Sequence, residues 1–171
     1  ILKASVAVLA VTAAGGVLAA CSESKPAEPA AAVPDPNPVV ATKYGPVKGQ
    51  LEDGVATFKG VRYGADTATT RFQPPQPPTP WTEPADALSY ATAAPQPASG
   101  DGGGLFSSWR PNPPLPNSED CLFLNVWTPA ADGKKRPVLV WFHGGGLTTG
   151  PRSSYAYDAI RLAKRGEVVV V

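Results

Sequence analysis

The sequence predicts an α/β fold, and three observations lead to that prediction. Two apolar runs, CLFLNVWTP (121–129) and PVLVWF (137–142), have the length of sheet strands, and the second is apolar on both faces, as a buried strand is. A glycine-rich turn and a segment with helical spacing follow, and EVVVV (167–171) begins another apolar strand. Strand, loop, helix and strand in this order form a βαβ unit, which implies a parallel sheet.

A β-hairpin and an irregular region precede this unit. Glu52-Asp53-Gly54 is a turn signal between two β-like segments, Val47–Leu51 and Val55–Lys59. Residues 64–118 are rich in Pro, Gly, Ser and Thr, and we expect irregular chain there. The predicted order is a small hairpin, an irregular region and the start of a central, mostly parallel sheet.

The helix of the βαβ unit has recognisable ends. Ser153 or Ser154 can cap its first turn, and it extends to about Arg165. Gly166 suits the left-handed residue that follows many helices. The apolar stripe that would face the sheet consists of Tyr155, Ala159, Leu162 and Ala163.

Residues 1–41 predict export and a lipid anchor. One lysine precedes an apolar stretch that is too short and too rich in small residues to span a bilayer well. The stretch ends in Leu18-Ala19-Ala20-Cys21, which resembles the lipobox of bacterial lipoproteins, whose cysteine is acylated after cleavage. We therefore expect residues 1–20 to be a lipoprotein signal peptide and Cys21 to be the lipid attachment site. An ordinary signal peptide with an incidental cysteine is the alternative.

The segment after this cysteine predicts a tether. Residues 21–41 are polar, rich in Pro and Ala, and too poor in apolar residues to fold. We expect them to be disordered and to join the anchor to a domain at 42–171. The expected location is extracytoplasmic, either on a membrane of a bacterial cell envelope or secreted.

The charge balance does not indicate a polyanionic partner. The net charge is +1 at pH 7, so we expect no nucleic acid binding. The one basic cluster, Lys134-Lys135-Arg136, precedes a predicted strand, and we interpret it as a solvated loop.

The glycines of HGGGLTTG (143–150) do not fit a phosphate-binding loop. Gly145 and Gly150 have the glycine spacing of a P-loop, but Pro and Arg follow where Lys and Ser or Thr are required. The dinucleotide pattern GxGxxG fails at Thr149. An oxyanion hole and a purely structural turn remain as interpretations.

An oxyanion hole explains the glycines by chemistry. Ester hydrolysis passes through a tetrahedral intermediate with a negatively charged oxygen, and each fixed backbone N–H lowers its energy by about 3 kcal/mol. Glycine permits the dihedral angles needed and lets a substrate approach the backbone. An HGGG sequence after a sheet strand is a known oxyanion-hole motif of lipases and esterases.

Several motifs in order resemble one family. SEDCLFLNVWTP (118–129) and RPVLVWFHGGGLTTG (136–150) are similar to two motifs of the type-B carboxylesterases, the cholinesterase-like and para-nitrobenzyl-esterase-like group of the α/β-hydrolase fold. YGPVKG, FKGVRYG, RFQPP and PWTEPADALSY resemble that family's first hairpin, its GIPYA and RF-x-P segments and its Trp-containing turn. The resemblance covers about residues 42–171. It implies the N-terminal portion of an α/β-hydrolase domain that acts on small-molecule carboxylic esters through a serine acyl-enzyme, without cofactor or metal.

The resemblance also implies roles for the glycine-loop residues. The backbone N–H groups of Gly145 and Gly146 would be the oxyanion donors, and Gly144 would shape the turn. His143 does not correspond to the family's catalytic histidine, and we expect it to pack and form hydrogen bonds.

Four positions outside the loop have counterparts in the family. Glu119 resembles a buried acid that pairs with the arginine of the RF segment, here Arg71, and we expect a structural ion pair. Ala94 stands where the family usually has a cysteine bridged to that of SEDCL. We therefore expect Cys121 to be a buried thiol outside any disulfide.

The catalytic triad of a serine hydrolase is missing from the chain. No G-x-S-x-G occurs, and His143 is the single histidine. The chain starts without Met and stops inside a run of valines, so we expect an inactive fragment whose nucleophile, acid and base lie elsewhere in the full-length protein. A non-catalytic binding or adhesion homologue and a degenerate fragment are the alternatives, and the intact HGGG favours the enzyme.

Overall fold

The computed structural model describes residues 34–96, 115–146, 150 and 157–171. The predicted signal peptide and Cys21, most of the tether, and Ser153, Ser154 and Tyr155 of the predicted helix lie outside these ranges. The described elements, in chain order, are β1 (Val39–Ala41), β2 (Pro46–Lys48), β3 (Gln50–Glu52), β4 (Val55–Arg62), β5 (Ala85–Asp86), β6 (Phe123–Thr128), β7 (Val138–Leu139), α1 (Ile160–Gly166) and β8 (Val169–Val170).

A five-stranded sheet in the order β3-β4-β6-β8-β7 is the centre of the fold. β7, α1 and β8 form the predicted βαβ unit, since β7 and β8 pair in parallel. The pairs β3–β4, β4–β6 and β6–β8 are antiparallel, so parallel pairing in the described part of this sheet is confined to β7–β8, although we expected a mostly parallel sheet. The physical reason is connectivity, because β7 and β8 are joined by the helical crossover that parallel pairing requires, whereas β3 and β4 are joined by a tight turn.

The predicted hairpin is confirmed. β3 and β4 pair around Asp53 and Gly54, whose φ angles of 49° and 78° fit the two-residue turn that the twist of a hairpin favours. The first predicted strand is divided at Gly49, however. A Cβ there would lie 2.5 Å from the Thr57 carbonyl oxygen, so the chain crosses β4 too closely for a side chain.

The long strand β4 contains a bulge. Its register against β6 shifts between Phe58 and Val61, and Gly60 adopts a φ of 78° there. The Gly60 amide donates to Oδ1 of Asn125 on β6 at 2.9 Å. A side-chain oxygen thus replaces the ladder partner that the bulge removes.

Two apolar clusters cover the two faces of this sheet. Val55 and Trp127 pack with α1, whereas their chain neighbours Ala56 and Val126 pack with Val47 of β2. Successive strand residues point to opposite faces, so α1 covers one face and the three-stranded sheet β1-β2-β5 covers the other.

The folded domain begins earlier than expected. Val39–Ala41, the last residues assigned to the tether 21–41, form β1 and pair antiparallel with β2. Val40 also packs against the cluster around Val47. Strand pairing and burial of Val40 therefore move the domain boundary towards residue 39.

The helix presents alanines to the sheet. Ala159 and Ala163 are buried and one turn apart, which defines its inner face. Leu162, predicted on the same stripe, is 48% exposed because it lies off that line.

The end of the helix also differs from the prediction. Gly166 is the last helical residue, and the left-handed conformation falls on Glu167, with a φ of 49°. The amide of Glu167 donates to the Ala163 carbonyl oxygen and satisfies one of the last helical acceptors.

The predicted buried strand at 137–142 is shorter and more exposed than expected. Within this segment the regular strand is restricted to β7, and Val138, Val140 and Phe142 are exposed, the last to 86%. The reason is position, since β7 lies at an edge of the sheet.

The basic cluster before β7 is only partly solvated. Lys134 and Lys135 are exposed, but the Arg136 side chain is 8% exposed, so the solvated-loop prediction is wrong for this residue. Its guanidinium donates twice to Asp132, at 2.5 and 3.0 Å, and its Nε lies 3.5 Å from Glu167. These hydrogen bonds lower the pKa of the Asp132 carboxyl and raise that of Arg136.

Within the described ranges, no helix is long and apolar enough to cross a membrane.

Candidate functional site

The glycine loop, defined here as residues 143–150, follows the carboxyl end of β7. The Val171 amide donates to the Leu139 carbonyl oxygen at 2.8 Å, and the Trp141 amide donates to the Val171 carbonyl oxygen at 2.7 Å. Parallel pairing therefore supports the backbone up to two residues before the loop. Ligands of open α/β sheets bind beyond the carboxyl ends of strands, which is where this loop lies.

The turn inside the loop depends on glycine. Gly145 and Gly146 have φ angles of 128° and 62°, in a region that side-chain-bearing residues rarely adopt. A Cβ at Gly144 or Gly146 would meet no described atom within 4 Å. Backbone geometry thus requires glycine at 146, and no described atom crowds the position where a side chain would begin.

The backbone amide of Gly146 lies in this turn. Among the residues that the structure describes, it donates to no acceptor. An N–H group in a left-handed turn at a strand end is the kind of donor that stabilises an anionic oxygen.

His143 is part of the loop's own framework. Its Nδ1–H donates to the Gly144 carbonyl oxygen at 2.8 Å, and because a carbonyl only accepts, this hydrogen bond places the proton on Nδ1. A Cβ on Gly150 would overlap the same imidazole and lie 2.8 Å from the Gly144 oxygen. The two ends of the loop are therefore in close contact across His143.

A glutamine from a distant segment contacts the far end of the loop. The Gly150 amide donates to Oε1 of Gln96 at 3.1 Å, a contact between residues 54 positions apart. Gln96 was not predicted from the sequence, because no local pattern indicates such a contact. The only available signal was its place after Ala94 and Pro95, where the resembled family has Cys-Pro-Gln.

The predicted ion pair lies outside the loop. Arg71 Nη1 is 3.2 Å from Glu119 Oε1, but the Arg71 side chain is 65% exposed, and Glu119 is only partly buried. Cys121, which we expected to be buried, is half-buried.

A stronger pair beside it was not predicted. Arg62 donates two hydrogen bonds to the Asp120 carboxylate, at 2.6 and 2.7 Å, and its guanidinium carbon lies 4.4 Å from the centre of the Phe123 ring. The hydrogen bonds from Arg62 lower the pKa of Asp120 below its usual range and raise that of Arg62. Both pairs fix the segment before β6 and include no residue of the glycine loop.

A metal site is not evident in the described ranges, where no group of three His, Cys, Asp or Glu side chains could hold an ion. The glycine loop itself can offer hydrogen bonds from its backbone amides.

The mixed sheet and the glycine turn after the first strand of its βαβ unit define the α/β-hydrolase fold class. Residues 36–171 match the carboxylesterase family. The chain is 41% identical over 134 residues to the para-nitrobenzyl esterase of Bacillus subtilis, covering 78% of this chain and 26% of that protein. It is 41% identical over 133 residues to the phenmedipham hydrolase of Pseudarthrobacter oxydans, covering 77% and 26%. The chain belongs to the carboxylesterase family.

Solved structures agree with this assignment. The Geobacillus stearothermophilus carboxylesterase EST55 superimposes with a TM-score of 0.65 at 41% identity, covering 77% of this chain and 25% of that one. A thermophilic PNB esterase superimposes with a TM-score of 0.68 at 39% identity, covering 77% and 26%. The chain thus spans about a quarter of the length of these relatives.

Proposed function

We propose that this chain supplies the oxyanion-hole loop of a serine hydrolase that cleaves small-molecule carboxylic esters. The observation that carries the proposal is the glycine turn after β7, with Gly145 and Gly146 at positive φ and no described atom within 4 Å of a Cβ at Gly146. Membership of the carboxylesterase family supports ester hydrolysis as the reaction.

The proposed chemistry at the loop is electrostatic. A serine attacks the ester carbonyl, and the carbonyl oxygen becomes an oxyanion in the tetrahedral intermediate. The amides of Gly145 and Gly146 donate to that oxygen, and the positive φ angles of these two residues form the turn. Each donor lowers the barrier by about 3 kcal/mol, because the amides are already oriented when charge develops. The reaction needs no metal and no cofactor.

We propose that the triad lies outside residues 1–171. The chain has no G-x-S-x-G, and its single histidine uses Nδ1 to hold the Gly144 carbonyl oxygen. The chain also spans only 26% of the para-nitrobenzyl esterase, which leaves room in a full-length protein for a nucleophile, an acid and a base. On this proposal the chain alone is inactive.

The test is to sequence the reading frame beyond the codon for Val171 and to assay its product with a nitrophenyl ester. The proposal requires a downstream G-x-S-x-G, turnover by the full-length protein, and no turnover by residues 22–171 alone. A frame without that serine would instead indicate a non-catalytic homologue or a remnant.

We also propose that Cys21 carries a lipid that holds the protein on the outer side of a bacterial membrane. Leu18-Ala19-Ala20 before the cysteine, and the polar segment after it, support this location. Mass spectrometry of the N-terminal peptide should show an acylated Cys21. An unmodified peptide that still includes residues before Cys21 would contradict the proposal.

A further inference from the structure

The contact between Gln96 and the glycine loop has a defined geometry. The Gln96 side-chain amide donates from Nε2 to the Ala94 carbonyl oxygen at 3.3 Å, and its Oε1 accepts from the Gly150 amide at 3.1 Å. Because one end of the amide group is a donor and the other an acceptor, these two contacts fix its orientation.

The segment that carries Gln96 is attached to the chain that leads into β6. The Ala93 amide donates to the Pro116 carbonyl oxygen, and the Ser118 amide donates to the Ala93 carbonyl oxygen, both at 2.8 Å. Nδ2 of Asn117 donates to the Gln96 carbonyl oxygen at 3.1 Å. Ala93 itself is buried. The segment of Gln96 is therefore held by backbone pairing at Ala93 and by the Asn117 side chain, in addition to its contact with the loop.

From Gln96 the contacts continue to the turn. A side chain does not fit at position 150, because a Cβ there would overlap His143 and lie 2.8 Å from the Gly144 carbonyl oxygen. His143 in turn donates to that oxygen. A displacement of Gly150 would thus move His143 and Gly144, and with them the next two amides.

We propose that Gln96 is a positioning residue, which fixes the far end of the glycine loop and thereby the directions of the Gly145 and Gly146 N–H groups. The inference rests on the proposed function, since it assumes that these groups serve an oxyanion. Gln96 itself touches no reacting atom. It acts through Gly150, and without it the loop keeps its glycines but loses this hydrogen bond to the segment at 93–96.

The experiment uses the full-length protein and three variants. Gln96→Leu removes the acceptor for the Gly150 amide at similar size, and Gln96→Glu keeps an oxygen acceptor. Gln73→Leu is the matched control, because Gln73 is an exposed glutamine in another segment. Hydrogen exchange of peptides that cover 143–150 reports on the loop, and kcat and KM for a nitrophenyl ester report on the chemistry.

We expect Gln96→Leu to speed exchange in the loop and to lower kcat by about 10- to 100-fold, with KM within about threefold, since the donors act mainly in the transition state. Gln96→Glu should restore slow exchange and most of kcat, and Gln73→Leu should match the wild type. A variant that only lost thermal stability would not show slower turnover together with faster exchange confined to the loop.

Two results would overturn the inference: unchanged loop exchange in Gln96→Leu, or faster exchange with unchanged kcat. If the wild-type protein hydrolyses no ester, the proposed function fails independently. Hydrogen exchange then tests separately whether Gln96 holds the loop. Faster exchange in Gln96→Leu would support this, and unchanged exchange would overturn it.

Discussion

At the scale of single residues, Arg62 at the end of β4 and Asp120 before β6 form an ion pair. The two side chains are 30% and 33% exposed, so water screens the pair only in part. The hydrogen bonds from Arg62 lower the pKa of Asp120 in the folded state. A lowered carboxyl pKa means that the pair stabilises the fold above the ordinary Asp pKa of about 3.9, and that this stabilisation is lost as the pH falls through the lowered value.

We therefore expect Asp120→Asn to reduce the free energy of unfolding by about 1 kcal/mol at pH 7, a value discounted for solvent exposure. The difference from wild type should shrink in acid, because Asp120 is protonated first in the unfolded state, which reduces the advantage of its charged form in the fold. Urea unfolding at pH 7 and at pH 3 measures both effects. Glu83→Gln, at an exposed position, is the control and should change neither. An equal deficit for Asp120→Asn at both pH values would contradict the assignment.

The glycines of the loop differ in whether a side chain would fit at their positions. Gly150→Ala should lower the free energy of unfolding by about 1–3 kcal/mol, because its methyl group would overlap His143 and lie 2.8 Å from a backbone oxygen. Gly144→Ala is the matched comparison, since its methyl group would meet no described atom within 4 Å, and we expect a change below about 0.5 kcal/mol. Denaturant unfolding of both variants tests this order, and similar losses would refute it.

At the scale of elements, the bulge in β4 depends on Gly60, which has a positive φ and lies close to two other segments. Its amide depends on the Asn125 side chain, and a Cβ there would lie 2.8 Å from the Ser89 carbonyl oxygen. The bulge therefore joins β4 to β6 on one side and to the irregular segment around Ser89 on the other.

Asn125→Ala should destabilise the protein by about 1–3 kcal/mol, because it leaves the Gly60 amide without its acceptor in a partly buried place. Asn37→Ala, at an exposed position before β1, should leave stability within about 0.5 kcal/mol of wild type. Thermal unfolding of the two variants makes the comparison. If Asn125→Ala unfolds like the wild type, water has replaced the side-chain oxygen and the bulge does not depend on Asn125.

Some of these elements could be predicted from the sequence and others could not. The hairpin at Asp53-Gly54 and the βαβ unit were predictable, because a turn and a strand–helix–strand order are local patterns. The glycine loop was predictable as a motif. Exposure of the strand at 137–142 was not, since it depends on which strands lie beside β7. Arg62–Asp120 and Gln96–Gly150 were missed because they join residues 58 and 54 positions apart.

At the scale of the whole molecule, β7 lies at an apolar edge of the described sheet. Among the described strands it pairs with β8 alone, and Val138, Val140, Trp141 and Phe142 are exposed along and after it. A patch of this kind on an open strand edge favours pairing with other polypeptide. The same edge leads into the glycine loop, so whatever covers it also comes close to the proposed oxyanion site.

We expect residues 22–171, expressed alone, to self-associate at about 10–100 μM through this edge. Val140→Lys combined with Phe142→Lys should shift the chain towards monomer, because charges on an edge oppose strand pairing. Val39→Lys is the control: Val39 is 51% exposed on β1, in the other sheet, and its substitution should leave association unchanged. Sedimentation velocity over this concentration range measures all three. A monomeric wild-type chain that melts cooperatively would show that the edge needs no cover and that these residues are stable as a domain by themselves.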